Sequence, residues 1–388
     1  MPSPVRIVLR RVLFFVVILA SGVVAGCGGG GGGSAAPPLP ENVTIQVFCG
    51  RGVQGTDPGV YSQKRNTAFA YTFSLSAGYK DLQIRLAGDP APSSGSPVIA
   101  QNVMLIATAV PVDERPRFKA NTHTHTTRSD GSLSPAEIVS RYHERGYDVL
   151  FITDHNEITE EAAPAGMLVL PGEELTPNNS VRHANALFAT SVIIPGNRQP
   201  AEYLKDVVDS GALAMLNHPV WIIGWSLQDI LPLTGVSLIE IYNGSGEMQG
   251  YHDTQALWDS LLSLGRLWYG VASDDAHDPM EIGRGWIMIQ ADGLDQAGIR
   301  QGMENGSFYA STGILLCRLD LTNGVVRIES RNGETVDFFG NNGLLLRRVT
   351  GPFGEYTVQD SDRYVRVVVT GKNGIKAWTQ PLYWAAAP

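Results

Sequence analysis

Eight histidines occur in the 388 residues, and six of them stand at or beside short apolar runs. His123 and His125 lie in Asn121-Thr-His-Thr-His-Thr-Thr-Arg-Ser-Asp-Gly131. On an extended chain, residues i and i+2 project from one face, so both imidazoles can reach one ion; a helix would set them about 200° apart. Asp130, just before Gly131, can add a hard oxygen from a loop. Asp154-His155 ends the run Phe151-Ile-Thr, and Glu173-Glu174 follows Leu168-Val-Leu-Pro-Gly. His183 opens a further run, Asn217-His218-Pro219 closes the next, and Asp275 and His277 repeat the i, i+2 relation. Each piece alone has an ordinary reading as a satisfied core His, a capping Asp or a solvated Glu. Together, imidazoles and carboxylates without thiolates suit Zn²⁺, Mn²⁺ or Fe²⁺. So large a set exceeds the needs of one ion and implies two or three.

The elements that must position these groups are legible as a rhythm. From about 116, short β-rich runs alternate with helical segments, the pattern of βα units on a parallel sheet. Strands are predicted at 118–121, 149–153, 168–171, 184–189, 212–216, 238–242 and 268–273. Ser134-Pro-Ala-Glu137 is a capping box with Pro at the first helical position, opening a helix through Arg145. Further helices are predicted at 200–210, 254–264 and 294–304. Seven such units suggest a barrel, in which C-terminal strand ends meet at one mouth. Residues 41–115 read as a small β-sandwich, more naturally a spacer or packing module than a binding domain. From 317 the helical pattern stops, and runs at 319–321, 325–329, 336–339, 344–348 and 364–370 read as a second β domain, 317–388.

The ordered set His-Thr-His-Thr-Thr-Arg-Ser-Asp-Gly, Thr-Asp-His, Gly-Glu-Glu, isolated His183, Asn-His-Pro and Asp-Ala-His resembles the PHP family, the polymerase and histidinol phosphatase metal-dependent phosphoesterases. The resemblance covers roughly 116–316. Tyr364-Val-Arg-Val through Ala377-Trp-Thr-Gln-Pro is similar to C-terminal modules appended to some members. It implies a distorted (β/α)7 barrel, here flanked by small N-terminal and C-terminal β domains, with a trinuclear site. By that resemblance His123, His125, Glu174 and Asp275 hold the first metal and form the catalytic core. Glu174 bridges to a second with His183 and His218, and Asp130, His155 and His277 hold a third. The family spacing selects Glu174 over Glu173, leaving Glu173 expected in a solvated loop, and Asp275 over Asp274. Asp154 is expected to orient a neighbour.

The activity so implied is hydrolysis of a phosphate mono- or diester by a metal-bridging hydroxide, on a phosphorylated small molecule. Arg128 and Arg284 are candidates for gripping the substrate anion, because Arg binds phosphate bidentately. Tyr242 and Asn243, at a strand end, could line the pocket. Two other classes compete. A barrel amidohydrolase cleaving C–N or lactone bonds more often uses a strand-end Lys, and Lys119 is a poor match. A non-catalytic lipoprotein binding a surface glycan or partner would be expected to show gaps in the ligand set. No Walker loop, Rossmann fingerprint or nucleophile elbow is present.

Composition and the N-terminus narrow the setting. An apolar content of 43% suits a packed core rather than a disordered chain. The formal charge is −9. It is three units more negative without residues 1–26, which carry Arg6, Arg10, Arg11 and no acid, so nucleic-acid binding is not expected. Those residues read as an export signal with an apolar stretch shorter than the ~20 residues of a spanning helix. Val24-Ala-Gly-Cys27 resembles a lipobox, which implies cleavage before Cys27, its lipidation, and an anchor in a bacterial membrane, the outer one by Gly28. Residues 27–40, rich in Gly and Pro, suit a tether. Cys49 and Cys317 can form a disulfide or remain free thiols.

Overall fold

A computed structural model describes residues 116–384, except 223, 252, 253 and 323, together with six strands of the preceding region. Cys27 and the tether lie outside the described residues. The chain divides into two compact units, Met1–Ala107 and Thr108–Pro388. The first contains β1 (Leu13–Leu19), β2 (Asn42–Arg51), β3 (Gln54–Lys64), β4 (Ala68–Ser74), β5 (Asp81–Leu86) and β6 (Val103–Ala107). These pair antiparallel into two three-stranded sheets, β4-β1-β6 and β3-β2-β5.

In the second unit the seven predicted strands form where the apolar runs stand. They are β7 (Arg117–Asn121), β8 (Val149–Ile152), β9 (Leu168–Leu175), β10 (Ala184–Leu187), β11 (Leu213–Leu216), β12 (Leu238–Asn243) and β13 (Tyr269–Ser273). The helices are α1 (Pro135–Glu144), α2 (Pro200–Asp209), α3 (Leu227–Ile230), α4 (Gly244–Met248), α5 (Gln255–Ser263) and α6 (Gln296–Glu304). Ser134 caps α1 as its sequence demands: its hydroxyl accepts from Glu137 N–H while the Glu137 carboxylate accepts from Ser134 N–H at 2.9 Å. Beyond β13 follow β14 (Trp286–Gln290), β15 (Phe308–Ser311), β16 (Leu316–Thr322), β17 (Val325–Ser330), β18 (Gly333–Gly340), β19 (Leu344–Thr350), β20 (Phe353–Thr357), β21 (Tyr364–Gly371), β22 (Lys376–Thr379) and β23 (Tyr383–Trp384).

The architecture is α/β, but its sheet is mixed and open. Its order is β13-β12-β11-β10-β9-β8-β7-β14-β15-β22-β21-β18-β19. β10 runs antiparallel to both β9 and β11, and β14 antiparallel to β7, so the all-parallel expectation is corrected. Among the described residues the named strands do not close a ring. A lone parallel bridge, Thr124 to Ala276, spans the segments just beyond β7 and β13. Strands of four to six residues here offer too few ladder bonds past their ends to extend that bridge into a pair.

The main core lies between the sheet and helices α2, α5 and α6, where Phe151, Leu204, Met215, Ile239, Trp258, Leu261 and Ile299 are all fully or almost fully buried. A second cluster under α1 joins Ile138, Tyr142, Tyr147, Leu150 and Ile152. The C-terminal strands share the sheet, because β22 pairs antiparallel with β15 and with β21. A buried ion pair docks α5 onto them. Arg366 donates from Nε and Nη2 to the two Asp259 oxygens, each at 2.7 Å, and Tyr364 donates to Asp259 at 2.7 Å.

Candidate metal centre

The nine sequence candidates gather into one cluster, and seven of them, all but His123 and His125, line a cavity above it. His123 and His125 leave β7, and the segment after β13 lies alongside them: His125 N–H donates to Ala276 C=O at 2.9 Å and Asp275 N–H to His123 C=O at 3.0 Å. Extended backbone on both sides sends His123 and His125, and Asp275 and His277, towards the same space. The reversal of β10 explains why His183 precedes its strand rather than following it. Ala184 is opposite Leu175 on one side and Leu216 on the other, so the N-terminal end of β10 lies between the C-terminal ends of β9 and β11. His183 thereby meets Glu174 and His218.

Four groups of donors have their atoms within 4.8 Å of one another. They are His125, Asp130, His155 and His277; His123, His125 and Asp275; His123, Glu174 and His218; and His155, Glu174 and His183. Glu174 is central. Its Oε1 lies 3.3 Å from His123, 3.2 Å from His183 and 3.2 Å from His218, while Oε2 lies 3.3 Å from His125 and 3.0 Å from His155. Asp275 Oδ1 is 3.1 Å from both His123 and His125. Depth grades the site: His123, His125 and Glu174 form a buried floor, and half-exposed Asp130 forms the rim with His155 and His277.

The electrostatics follow from crowding carboxylates and imidazoles away from water. Burial pushes the Glu174 carboxyl up, but the facing histidines override it and hold it well below the usual range. Burial likewise pulls His155 and His277 down, yet Asp130 with Glu174, and Asp130 with Asp275, raise them to about 10 and about 9. The residues fit divalent cations. Nδ1 of His218 is buried without a hydrogen-bond partner, and Nδ1 of His183 faces Glu174 Oε1 at 3.2 Å without forming a hydrogen bond. No Lys or Arg lines the cavity among the described residues, and the donor set is nitrogen and carboxylate oxygen.

Against known proteins, no family model matches the chain. Solved structures similar to it include a two-domain protein containing a predicted PHP-like metal-dependent phosphoesterase from Bacteroides vulgatus, 18% identical, covering 70% of this chain and 96% of that one with a TM-score of 0.43. A lesion-specific endonuclease from Pyrococcus furiosus is 13% identical over 48% of this chain and 55% of that one, with a TM-score of 0.37. A 5'-3' exoribonuclease of Haemophilus influenzae is 39% identical over 66 residues, 16% of this chain and 24% of its own length. The match thus spans about a quarter of that relative.

Around the candidate ligands stand supporting groups, of which sequence reasoning found one and missed others. Asp154 is fully buried and accepts from Thr126 N–H at 2.7 Å and from the hydroxyls of Thr126, Ser129 and Thr159 at 2.7, 2.7 and 2.6 Å, so it shapes the loop carrying Asp130. Glu240 was not among the candidates. It accepts from His123 Nδ1 at 2.8 Å, from His218 N–H at 2.5 Å and from Asn243 Nδ2 at 2.9 Å. Its signal was a single charge inside the apolar strand Leu238-Ile-Glu-Ile-Tyr242, a residue type seldom buried without partners. Asn217 Nδ2 donates to Glu174 at 2.7 Å, and Asn243 Nδ2 also reaches Asp275 at 3.1 Å. His218 and Asp275 adopt φ of 28° and 53°, backbone values that such pairings must sustain.

Other expectations are corrected or left aside from the cavity. Glu173 is fully buried rather than solvated; it accepts from Ile193 N–H at 2.8 Å, its second oxygen has no partner, and burial raises its carboxyl to about 7. Asp274 takes N–H donations from Gly283, Arg284 and Gly285 at 2.7 to 2.8 Å, a loop-holding role. The Arg128 guanidinium pairs with Glu157, and that of Arg284 donates to Met280 C=O at 3.1 Å; neither residue lines the metal cavity. Lys119 stacks its ammonium 3.8 Å above Tyr147 and 4.2 Å above Trp286, outside the site. Cys317 is exposed and has no disulfide partner among the described residues, and the Cys49 side chain lies outside them.

Proposed function

We propose that the chain is a metal-dependent hydrolase of the PHP family that cleaves a phosphate ester at a trinuclear centre. The observation that carries this reading is the convergence of nine nitrogen and carboxylate donors, with Glu174 offering one oxygen to each side of the cluster. His123, His125, Glu174 and Asp275 would hold one ion; Glu174, His183 and His218 a second; Asp130, His155 and His277 a third. Ions bound there would supply Lewis acidity towards phosphoryl oxygens and lower the pKa of water. The chain's own residues do the rest. Glu240 fixes the ring of His123, Asn217 and Asn243 hold the Glu174 and Asp275 oxygens, and Asp154 sets the rim loop. With all six clustered imidazoles committed as ligands, the leaving oxygen takes its proton from solvent.

Phosphoester rather than C–N cleavage is favoured because no Lys lines the cavity among the described residues. The test is metal content alongside hydrolysis of p-nitrophenyl phosphate and its bis-ester, with His123→Ala as control. Bound metal with turnover that the substitution abolishes supports the reading. Bound metal without phosphoester turnover, but with amide or lactone cleavage, would replace it with an amidohydrolase. The N-terminal pattern supports export and lipid anchoring at Cys27. Cys27→Ser should then abolish acyl labelling and move the protein from the membrane to the soluble fraction.

A further inference from the structure

Beside the metal cavity, of 350 Å³, lies a second one of 360 Å³. The two share His218, Trp221, Asn243 and Gly246, so they are compartments of one cleft. Trp221 stands at the join. Its ring is 5.1 Å from that of His218 and 5.9 Å from that of His183, and its Nε1 donates to Gln249 at 3.3 Å. The far wall is built by the C-terminal strands. Lys376 and Trp378 occupy i, i+2 positions of β22 and so face the same way, while Ala377 between them turns to the other side. Trp378 is held rigidly: its ring lies 5.9 Å from that of Tyr242, and its Nε1 donates to Gln255 Oε1 at 2.9 Å. Thr312 accepts from Lys376 N–H at 2.8 Å, tying this wall to the end of β15.

The lining is chemically unlike that of the metal compartment. Trp221, Tyr242 and Tyr251 present aromatic surface, Trp378, 3% exposed, offers only its edge, Glu247 adds a carboxylate, and Lys376 with Gln255 adds donors. With the Gln255 oxygen already accepting from Trp378, its amide NH₂ is the end left to donate. A volume of this order with aromatic faces and a few polar groups is that of a small-ligand site. Hydrolysis at the metal centre needs none of these side chains.

Resting on the phosphoesterase reading, we infer that this compartment is a specificity subsite for a planar ring carried by the leaving alcohol of the substrate. The ester phosphorus occupies the metal compartment while the ring lies between the aromatic walls beyond Trp221. The ring undergoes no chemistry: the P–O bond to the alcohol breaks, water supplies the new P–O bond and one proton to the departing oxygen, and its other proton stays on phosphate. β22 thereby acts as part of the substrate site, with Trp378 and Lys376 as specificity-determining residues.

The experiment compares 2-(indol-3-yl)ethyl phosphate with n-butyl phosphate on the full, metal-loaded chain. The expected result is a kcat/KM at least tenfold higher for the ring ester, carried mainly by KM. Tyr251→Ala, at a position 37% exposed, and Trp378→Phe, which keeps an aromatic ring but gives up the Nε1 hydrogen bond to Gln255, should each reduce that ratio at least threefold. A ratio near one, or variants that slow both esters equally, would overturn the subsite. Calorimetry with 2-(indol-3-yl)ethanol and n-butanol separates the two levels of the proposal. If neither ester is hydrolysed but the indole alcohol binds and both variants weaken it, the hydrolase reading fails and the ring site stands. If the indole alcohol binds no better than butanol, the ring site falls whatever the activity.

Discussion

His123 cannot ligate well unless its ring is aimed, and Glu240 supplies that aim through Nδ1 at 2.8 Å. Outer partners of this kind are worth about 10–100-fold in metal affinity. Glu240→Gln is therefore expected to weaken metal binding by about that factor, read by competition with a chromogenic chelator; unchanged affinity would show that the ring is held by packing alone. Protons compete for the same atoms. In the metal-free protein His155 and His277, raised to about 10 and about 9, are protonated at pH 7, and an ion must displace those protons. Metal affinity should accordingly tighten as pH rises from 6 to 8, by about tenfold per unit for each proton displaced. Calorimetry in buffers of different ionisation enthalpy measures the protons released, and a pH-independent affinity would refute the mechanism. The same pairs stabilise the metal-free fold below about pH 6.5, and that contribution is lost as pH rises through 9 to 10.

Among the elements, the rim loop and the docking of α5 carry the most constraint. Gly131 allows the loop to fold back against the ligand strand, since a Cβ there would lie 2.6 Å from the His125 carbonyl carbon and oxygen. The α5–β21 contact is an ion pair taken out of water, with the Arg366 guanidinium 4.9 Å from the Trp258 and Phe339 rings. Removing one partner leaves an uncompensated buried charge, a loss of about 3–5 kcal/mol. Asp259→Ala should lower unfolding free energy by that amount in urea titration. A loss below 1 kcal/mol would mean that water reaches Arg366 once its partner is gone.

In the molecule's second unit one sheet runs from β13 to β19 beside a separate three-stranded sheet, β16-β17-β20, and strands C-terminal to β15 are structural neighbours of the site. β22 covers the edge of β15, and Gln380 accepts from Gly270 N–H and donates to Gly270 C=O, both at 2.8 Å. A chain ending at residue 316 would expose that edge and leave the Gly270 backbone of β13 unpaired inside the core. It is expected to be insoluble or to lack a cooperative thermal transition; a soluble, cooperatively folding truncation would show the C-terminal strands to be dispensable.

Local chemistry was readable because it depends on near neighbours. Short β-rich runs marked the seven strands, Ser134 and Glu137 marked the start of α1, and paired donors at i, i+2 marked candidate metal ligands. Pairing direction was not readable: nothing in Ala184–Leu187 distinguishes an antiparallel strand from a parallel one, since both need the same apolar run. β14 and β15 were likewise passed over, because four or five apolar residues become a strand only when a long-range edge accepts them. Glu240 and Glu173 show the same limit from opposite sides. Both are acids in apolar runs, and whether such a group meets a ring of partners or a dry pocket is settled by residues scores of positions away, brought into contact by the folded sheet.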